Sequence, residues 1–135
     1  PNRKIKWWKN EWDMKTFVMW KLSETWAHSL DIYDVSKSHY TDTTRLEHIA
    51  LFGWNQIEKT SKFNKIKSKE LRVELIGPEF KIWEYGNESS ENIIKGDAGE
   101  WCRLITGRLI SSKKISLSTD GRFAERYIKF KHTMI

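Results

Sequence analysis

A stretch of 22 residues without glycine or proline, from Met14 to Val35, constrains this chain most. Apolar side chains recur along it at helical spacing, since Met14, Val18 and Leu22 follow one another at intervals of four. Three further residues widen this apolar surface: Phe17, Trp20 and Ala27. The stretch therefore predicts a long helix near the start of the chain, preceded by an aromatic-rich lead-in over residues 1–13.

A second helix is predicted downstream, followed by a basic loop. Asp42 or Thr43 can cap the helix, and apolar residues at helical spacing mark its buried face. These residues are Leu46, Ile49, Ala50, Gly53, Trp54 and Ile57. Lysines dominate the stretch from Lys59 to Lys69, which we expect to be a solvated loop.

The hydrophobic period then changes from helical spacing to two. Leu71, Val73 and Leu75 alternate with charged residues, a Gly77-Pro78 turn follows, and Phe80 to Tyr85 resumes the strand pattern. This pattern predicts an antiparallel hairpin, with a short third strand over Asn92 to Lys95.

The last third of the chain predicts two helices separated by a strand. Asp97 and Glu100 have the spacing of a capping box, and Gly107 is suited to end that helix. Ile115 and Leu117 indicate a strand, and a last helix is predicted from Ser118 or Thr119. Its apolar residues are Phe123, Ala124, Tyr127 and Ile128. The fold class is therefore α+β, with long N-terminal helices followed by a small antiparallel sheet packed with two helices.

Composition excludes several classes of protein. The 135 residues carry a net charge of +6 and include a single cysteine, Cys102, so neither an internal disulfide nor a multi-cysteine zinc site can form. A lone cysteine, which we expect to be buried, favours the reducing cytoplasm. No apolar run approaches the roughly 20 residues of a membrane span. The basic pI of about 9.4 allows nucleic-acid binding but also fits a lysine-rich solvated surface.

The first helix carries the residues most suited to chemistry. Glu24 and His28 are four residues apart and therefore share one face of the helix, which Asp31 continues. A carboxylate and an imidazole in this arrangement can bind one zinc, nickel or iron ion together with a further ligand. Asp31 could then orient the imidazole. The alternative is an ordinary Glu–His pair on a solvated helix.

The sequence around these residues resembles a known family. Leu22 to Asp31 is similar to a Glu-Thr-Trp-Ala-His-Gly-x-Asp motif of DinB-like metal-binding proteins, in particular the mycothiol-dependent maleylpyruvate isomerases and their relatives, although Ser29 replaces the glycine. The likeness continues in consistent order through further segments. These are Arg45 to Gly53, Arg72 to Leu75, Trp83 to Gly86, Gly96 to Arg103 and Thr106 to Arg108.

The resemblance implies a divalent metal, most simply zinc, held between bundle helices by a His, Glu, His set. Glu24 and His28 match the last two of these ligands, and a low-molecular-weight thiol could be a second cofactor. It also implies that Arg108 binds the carboxylates of a small-molecule substrate. Residues 1–36 would then be the lead-in and last helix of the bundle, 37–63 a connecting helix and loop, and 64–135 a sterol-carrier-like α+β domain.

Several alternatives remain at this stage. Because the sequence begins with Pro1, we expect a fragment whose first helix packs against a missing N-terminal bundle or a second copy. The chain alone would then be inactive as an isomerase or transferase. The alternative function is an RNA-binding module, since part of the chain also resembles a segment grouped under wyosine base formation in transfer RNA. We expect His48 to be structural and His39 and His132 to be solvated.

Overall fold

The N-terminal lead-in forms a hairpin that runs directly into the long helix. The computed structural model describes residues 3–109 and 115–132. Strands β1 (Lys4–Trp7) and β2 (Asn10–Asp13) pair antiparallel, and helix α1 (Met14–Val35) follows with the predicted bounds. The helix begins there because Asp13 caps it: Oδ1 accepts from the Thr16 amide at 3.0 Å, and Oδ2 from the Thr16 hydroxyl at 2.6 Å.

Two shorter helices follow, α2 (Leu46–Asn55) and α3 (Ile57–Phe63). The predicted cap of the second helix is wrong, because α2 has no side-chain cap and Asp42 instead binds Arg103. The predicted loop over Lys59 to Lys69 is also wrong in its first half. Residues there form α3, whose Thr60 and Ser61 are buried despite the lysines around them.

The sheet contains β3 (Arg72–Ile76), β4 (Ile82–Tyr85), β5 (Ile93–Asp97) and β6 (Ser118–Asp120) in the order β4-β3-β5-β6. The predicted antiparallel hairpin of β3 and β4 is confirmed, with Leu75 opposite Trp83. β5 pairs parallel with β3, and β6 pairs antiparallel with β5. The predicted α+β class with a long N-terminal helix is confirmed, and the sheet contains this one parallel pair.

Helix α4 (Ala98–Ile105) packs on the sheet, and α5 (Arg122–Tyr127) follows β6. Asp97 caps α4 as predicted, since its Oδ2 accepts from the Glu100 amide at 2.9 Å. The last helix begins at Arg122, later than predicted, because Ser118 to Asp120 form the strand. The strand predicted at Ile115 and Leu117 therefore begins later, at Ser118. Leu117 lies just before it, and its side chain is buried.

Helices cover one face of the sheet, and the core lies between the two layers. Val73, Leu75 and Ile94 point into it and are fully buried. The indole of Trp101 on α4 donates from Nε1 to the carbonyl of Ala50 on α2 at 3.2 Å, which fixes these two helices against each other. Cys102 is buried as predicted, and burial raises the pKa of its thiol.

No helix within residues 3–109 and 115–132 is long and apolar enough to cross a membrane.

Candidate metal centre

The exposed side of α1 presents Glu24 and His28 one helical turn apart. Side chains at this spacing have Cβ atoms about 5–6 Å apart and therefore face the same volume of solvent. The Glu24 carboxylate accepts from Lys21 Nζ at 2.8 Å, and the His28 side chain is 60% exposed. The His28 ring is therefore accessible, whereas the Glu24 side chain is half-buried and bound by Lys21.

Asp31 orients the His28 ring from the next turn of α1. His28 Nδ1 lies 3.3 Å from Asp31 Oδ2, so a neutral ring in the Nδ1–H tautomer donates to the carboxylate. The Nε2 lone pair is then available for a metal ion. A carboxylate behind an imidazole is the usual support of a metal-binding histidine, and Asp31 occupies the place expected for it.

Arg108 reaches the same site from the segment that follows α4. Gly107 adopts φ +70°, a left-handed conformation that turns the chain back at the end of the helix. Arg108 then donates from Nε to Asp31 Oδ1 at 3.2 Å and from Nη2 to Asp31 Oδ2 at 3.0 Å. Its Nη2 also lies 3.5 Å from His28 Nδ1. The structure thus brings together residues 77 and 80 positions apart.

The guanidinium is held in place by a backbone contact as well as by the carboxylate. Arg108 Nη1 donates to the carbonyl of Thr106 at 2.6 Å, and only 17% of the Arg108 side chain is exposed. Arg108 lowers the pKa of Asp31, first through its hydrogen bonds and then through its charge, and the hydrogen bond to His28 adds to the effect. Asp31 is therefore held as a carboxylate.

The donor set fits part of a metal site. Among the residues that the structure describes, no three His, Cys, Asp or Glu side chains are grouped closely enough to hold a metal ion. Glu24 and His28 supply one carboxylate oxygen and one imidazole nitrogen, the donors that zinc accepts. Asp31 is engaged by Arg108 and serves as a support. The described residues therefore contain the two predicted ligands, Glu24 and His28, but no complete metal site.

The other histidines do not join this site. His39 is exposed as predicted, and so is His48 on α2, whose predicted structural role stays a prediction. The expectation that His132 is solvated is wrong, since it is only 8% exposed and its Nε2 bonds the carbonyl of Tyr127 at 3.1 Å. The residues after α5 pack back onto the core, and the His132 ring is buried there.

The sequence did not reveal two long-range pairs that shape the site region. The pairing of Asp31 with Arg108 has no sequence signal, because the two residues lie 77 positions apart in different segments. Arg103 forms a bidentate pair with Asp42, two bonds of 3.0 Å each, and its guanidinium lies 5.5 Å from the ring centre of Trp26. This second pair joins α4 to the connector between α1 and α2, and the contact with Trp26 joins it to α1.

Two curated proteins of Mycobacterium tuberculosis are similar to this chain, Uncharacterized protein Rv0036c and Uncharacterized protein MT0041, from two strains. Each is 28% identical to it over 128 residues, covering 93% of this chain and 49% of the relative. The chain therefore spans about half the length of the curated relatives it matches. No protein-family model matches the chain.

Proposed function

We propose that this chain is the C-terminal part of a DinB-like, maleylpyruvate-isomerase-like metal-binding protein. In this proposal Glu24 and His28 are two ligands of a divalent metal, most simply zinc, and Arg108 belongs to the substrate side of the site. One observation supports it above the others. Arg108, from a separate segment of the sequence, lies within hydrogen-bond distance of Asp31, which in turn contacts His28 on the same helix.

Each residue has a distinct task in the proposed site. Glu24 and His28 present an oxygen and a nitrogen donor from one helix face, and Asp31 holds the His28 ring with Nε2 available. Arg108 fixes a positive charge beside His28, which favours a small substrate carrying carboxylates. A bound metal ion would supply Lewis-acid chemistry toward the substrate or a thiol cofactor. The remaining ligand would come from a further segment of the protein or from a second copy.

Metal content of the protein expressed from its complete reading frame tests this proposal. We expect about one divalent ion per chain by elemental analysis, and loss of stoichiometric zinc in Glu24→Gln and His28→Ala, because each removes a ligand. Asp31→Asn should weaken zinc binding about 10- to 100-fold, the usual effect of removing the carboxylate behind a metal-bound histidine.

His48→Ala is the matched control, since this histidine is also exposed on a helix but lies outside the site. It should retain the metal. Circular dichroism spectra should be the same for all four variants, because the substituted side chains are exposed or half-buried. A complete protein that binds no divalent metal, or one whose metal is unaffected by Glu24→Gln and His28→Ala, contradicts the proposal.

A further inference from the structure

The turn of the N-terminal hairpin places an indole in solvent. Trp7 pairs with Asn10 across β1 and β2, so Trp8 and Lys9 form a two-residue turn. Trp8 has φ 55° and is 91% exposed. Turns of this length favour glycine or asparagine where φ is positive, and a bulky side chain there is a conformational outlier. The fold thus presents Trp8 outward in a position where another residue would be more stable.

The rest of this hairpin, Lys4 to Asp13, is anchored by aromatic packing. The Trp7 ring lies 5.9 Å from Phe17 and 6.2 Å from Trp20, both on α1. Trp12 lies 5.6 Å from Trp20 and stacks on Phe52 of α2 at 6.3 Å. These contacts hold the hairpin on the body of the molecule, while Trp8 at its tip extends beyond them.

Positive charge is concentrated beside this indole. The segments 3–9 and 59–69 together contain nine of the 24 Lys and Arg residues and no Asp or Glu, so the remaining 15 are outnumbered by 18 acidic residues. Segment 59–69 approaches the hairpin through one contact, since Lys59 Nζ lies 5.1 Å from the ring centre of Trp12, which pairs with Ile5. The chain's net positive charge therefore comes from these segments, although the hairpin and α3 also carry Glu11, Asp13 and Glu58, and Lys4 Nζ lies 3.9 Å from Glu11.

From these observations we infer that the hairpin and α3 form a binding surface for single-stranded nucleic acid. Trp8 stacks on an unpaired base, and the lysines of the hairpin and of α3 contact the phosphates on either side. Every base has a π-face, so this mode of binding tolerates sequence variation. A duplex hides its bases from such a side chain. A membrane surface would need several apolar side chains at the tip. Beside Trp8 the tip offers Lys9 and Trp7, which is 46% exposed and whose ring contacts Phe17 and Trp20.

Fluorescence anisotropy of a labelled single-stranded RNA of about 12 nucleotides tests the inference, because the oligonucleotide is long enough for one binding surface. We expect binding that weakens steeply between about 50 and 200 mM salt, since lysines release counterions from phosphates. A duplex of the same length should bind at least about tenfold more weakly. Trp8→Ala should weaken single-strand binding about tenfold, the effect of losing one stacked base.

Two further variants separate stacking from folding. Trp8→Gly suits the positive φ of the turn, so the hairpin should be at least as stable while binding is lost as in Trp8→Ala. Phe80→Ala removes an aromatic side chain that is 92% exposed but lies in the β3–β4 turn, and it should leave binding unchanged.

Three results would overturn the inference. One is the absence of single-strand binding at about 50 mM salt. Another is binding that depends on the lysines but not on Trp8. The third is partition of the protein onto vesicles of anionic lipid through Trp8 without binding of the oligonucleotide. Because none of these experiments involves Glu24 or His28, failure here leaves the metal proposal standing, and failure of metal binding leaves this inference standing.

Discussion

At the scale of single residues, Asp31 is where two parts of the chain meet. It accepts both hydrogen bonds of the Arg108 fork and also contacts His28, so one carboxylate orients a cation and an imidazole at once. Such a fork matches the two oxygens of a carboxylate, which a lysine ammonium cannot do. The side chain that aligns the site is therefore neither of the predicted metal ligands.

Removing the guanidinium should change the titration of this carboxyl. In Arg108→Ala we expect the pKa of Asp31 to rise toward its ordinary value of 3.8, because its largest cause of lowering is lost. NMR titration of the carboxyl carbon measures this. Since the folded pKa of Asp31 is the lower one, its contribution to stability is present above the ordinary value and is lost as the pH falls through the folded value.

Arg108→Lys is the control for this prediction, since it keeps the charge but loses the fork. It should give an intermediate pKa for Asp31. The stability lost at neutral pH should be only about 1 kcal/mol or less from this pair, because half of the Asp31 side chain is exposed. An Asp31 carboxyl that titrates identically in the wild type and in Arg108→Ala contradicts the role given to the pair.

At the scale of elements, the approach of α2 to α4 depends on a missing side chain. A Cβ added at Gly53 would collide with Cδ1 of Ile105, so the two helices are as close as a glycine permits. Glycine is costly inside a helix, by about 1 kcal/mol relative to alanine. Its presence in α2 is explained by this contact.

Gly53→Ala should therefore destabilise the protein despite the gain in helix propensity. Overpacking costs about 1–3 kcal/mol, and because the added Cβ would meet three atoms of Ile105 we expect this cost to exceed the gain. Urea unfolding measures the difference. Ile105→Val removes the colliding methyl at a cost of about 0.5–1.5 kcal/mol, and the double variant should lose less than the two single losses combined. A Gly53→Ala protein that is more stable than the wild type is incompatible with this packing.

Elements with a strong local pattern were predictable from the sequence. The bounds of α1 followed from the absence of glycine and proline, and the cap of α4 followed from Asp97. Helix α3 was missed because Lys59 and Lys62 suggested a loop, whereas burial of Thr60 and Ser61 depends on distant contacts. The helical spacing of Glu24, His28 and Asp31 was also readable in the sequence.

What the sequence could not reveal is contact between distant elements. The placement of Arg108 on Asp31 depends on how α1 and α4 each pack against α2, and local sequence patterns do not encode these contacts. The approach of α3 to the N-terminal hairpin is of the same kind. It is seen in the position of Lys59 over Trp12, and the sequence pattern did not predict α3 as a helix.

At the scale of the whole molecule, the chain after α5 closes the fold. Asn64, at the end of α3, donates to the carbonyl of Lys131 at 3.1 Å and accepts from its amide at 2.9 Å. His132 is thereby buried, with no hydrogen-bond partner for Nδ1 among the described residues. Burial lowers the pKa of His132, since the charged ring would lose its hydration.

This burial predicts a loss of stability in mild acid. The unfolded chain takes up a proton near the ordinary histidine value of 6.5, while the folded chain resists it. The free energy of unfolding should therefore be unaffected above that value and should decrease as the pH falls below it, by at most about 1.4 kcal/mol per pH unit. Urea unfolding at several pH values from about 7.5 to 5 measures this.

His132→Gln should flatten this dependence, because glutamine does not titrate. His39→Gln is the matched control, since His39 is exposed, and it should keep the slope of the wild type. Equal slopes for the wild type and His132→Gln would show that burial of this ring does not control acid stability.

The Asp42–Arg103 pair has a consequence for motion. The connector between α1 and α2, residues 36–45, contains no helix or strand, as is common in hinge segments. Its middle is nevertheless fixed, because Asp42 is bound at two atoms by a guanidinium that also lies over Trp26. A change in the position of this connector relative to α4 would therefore require the Asp42–Arg103 ion pair to break.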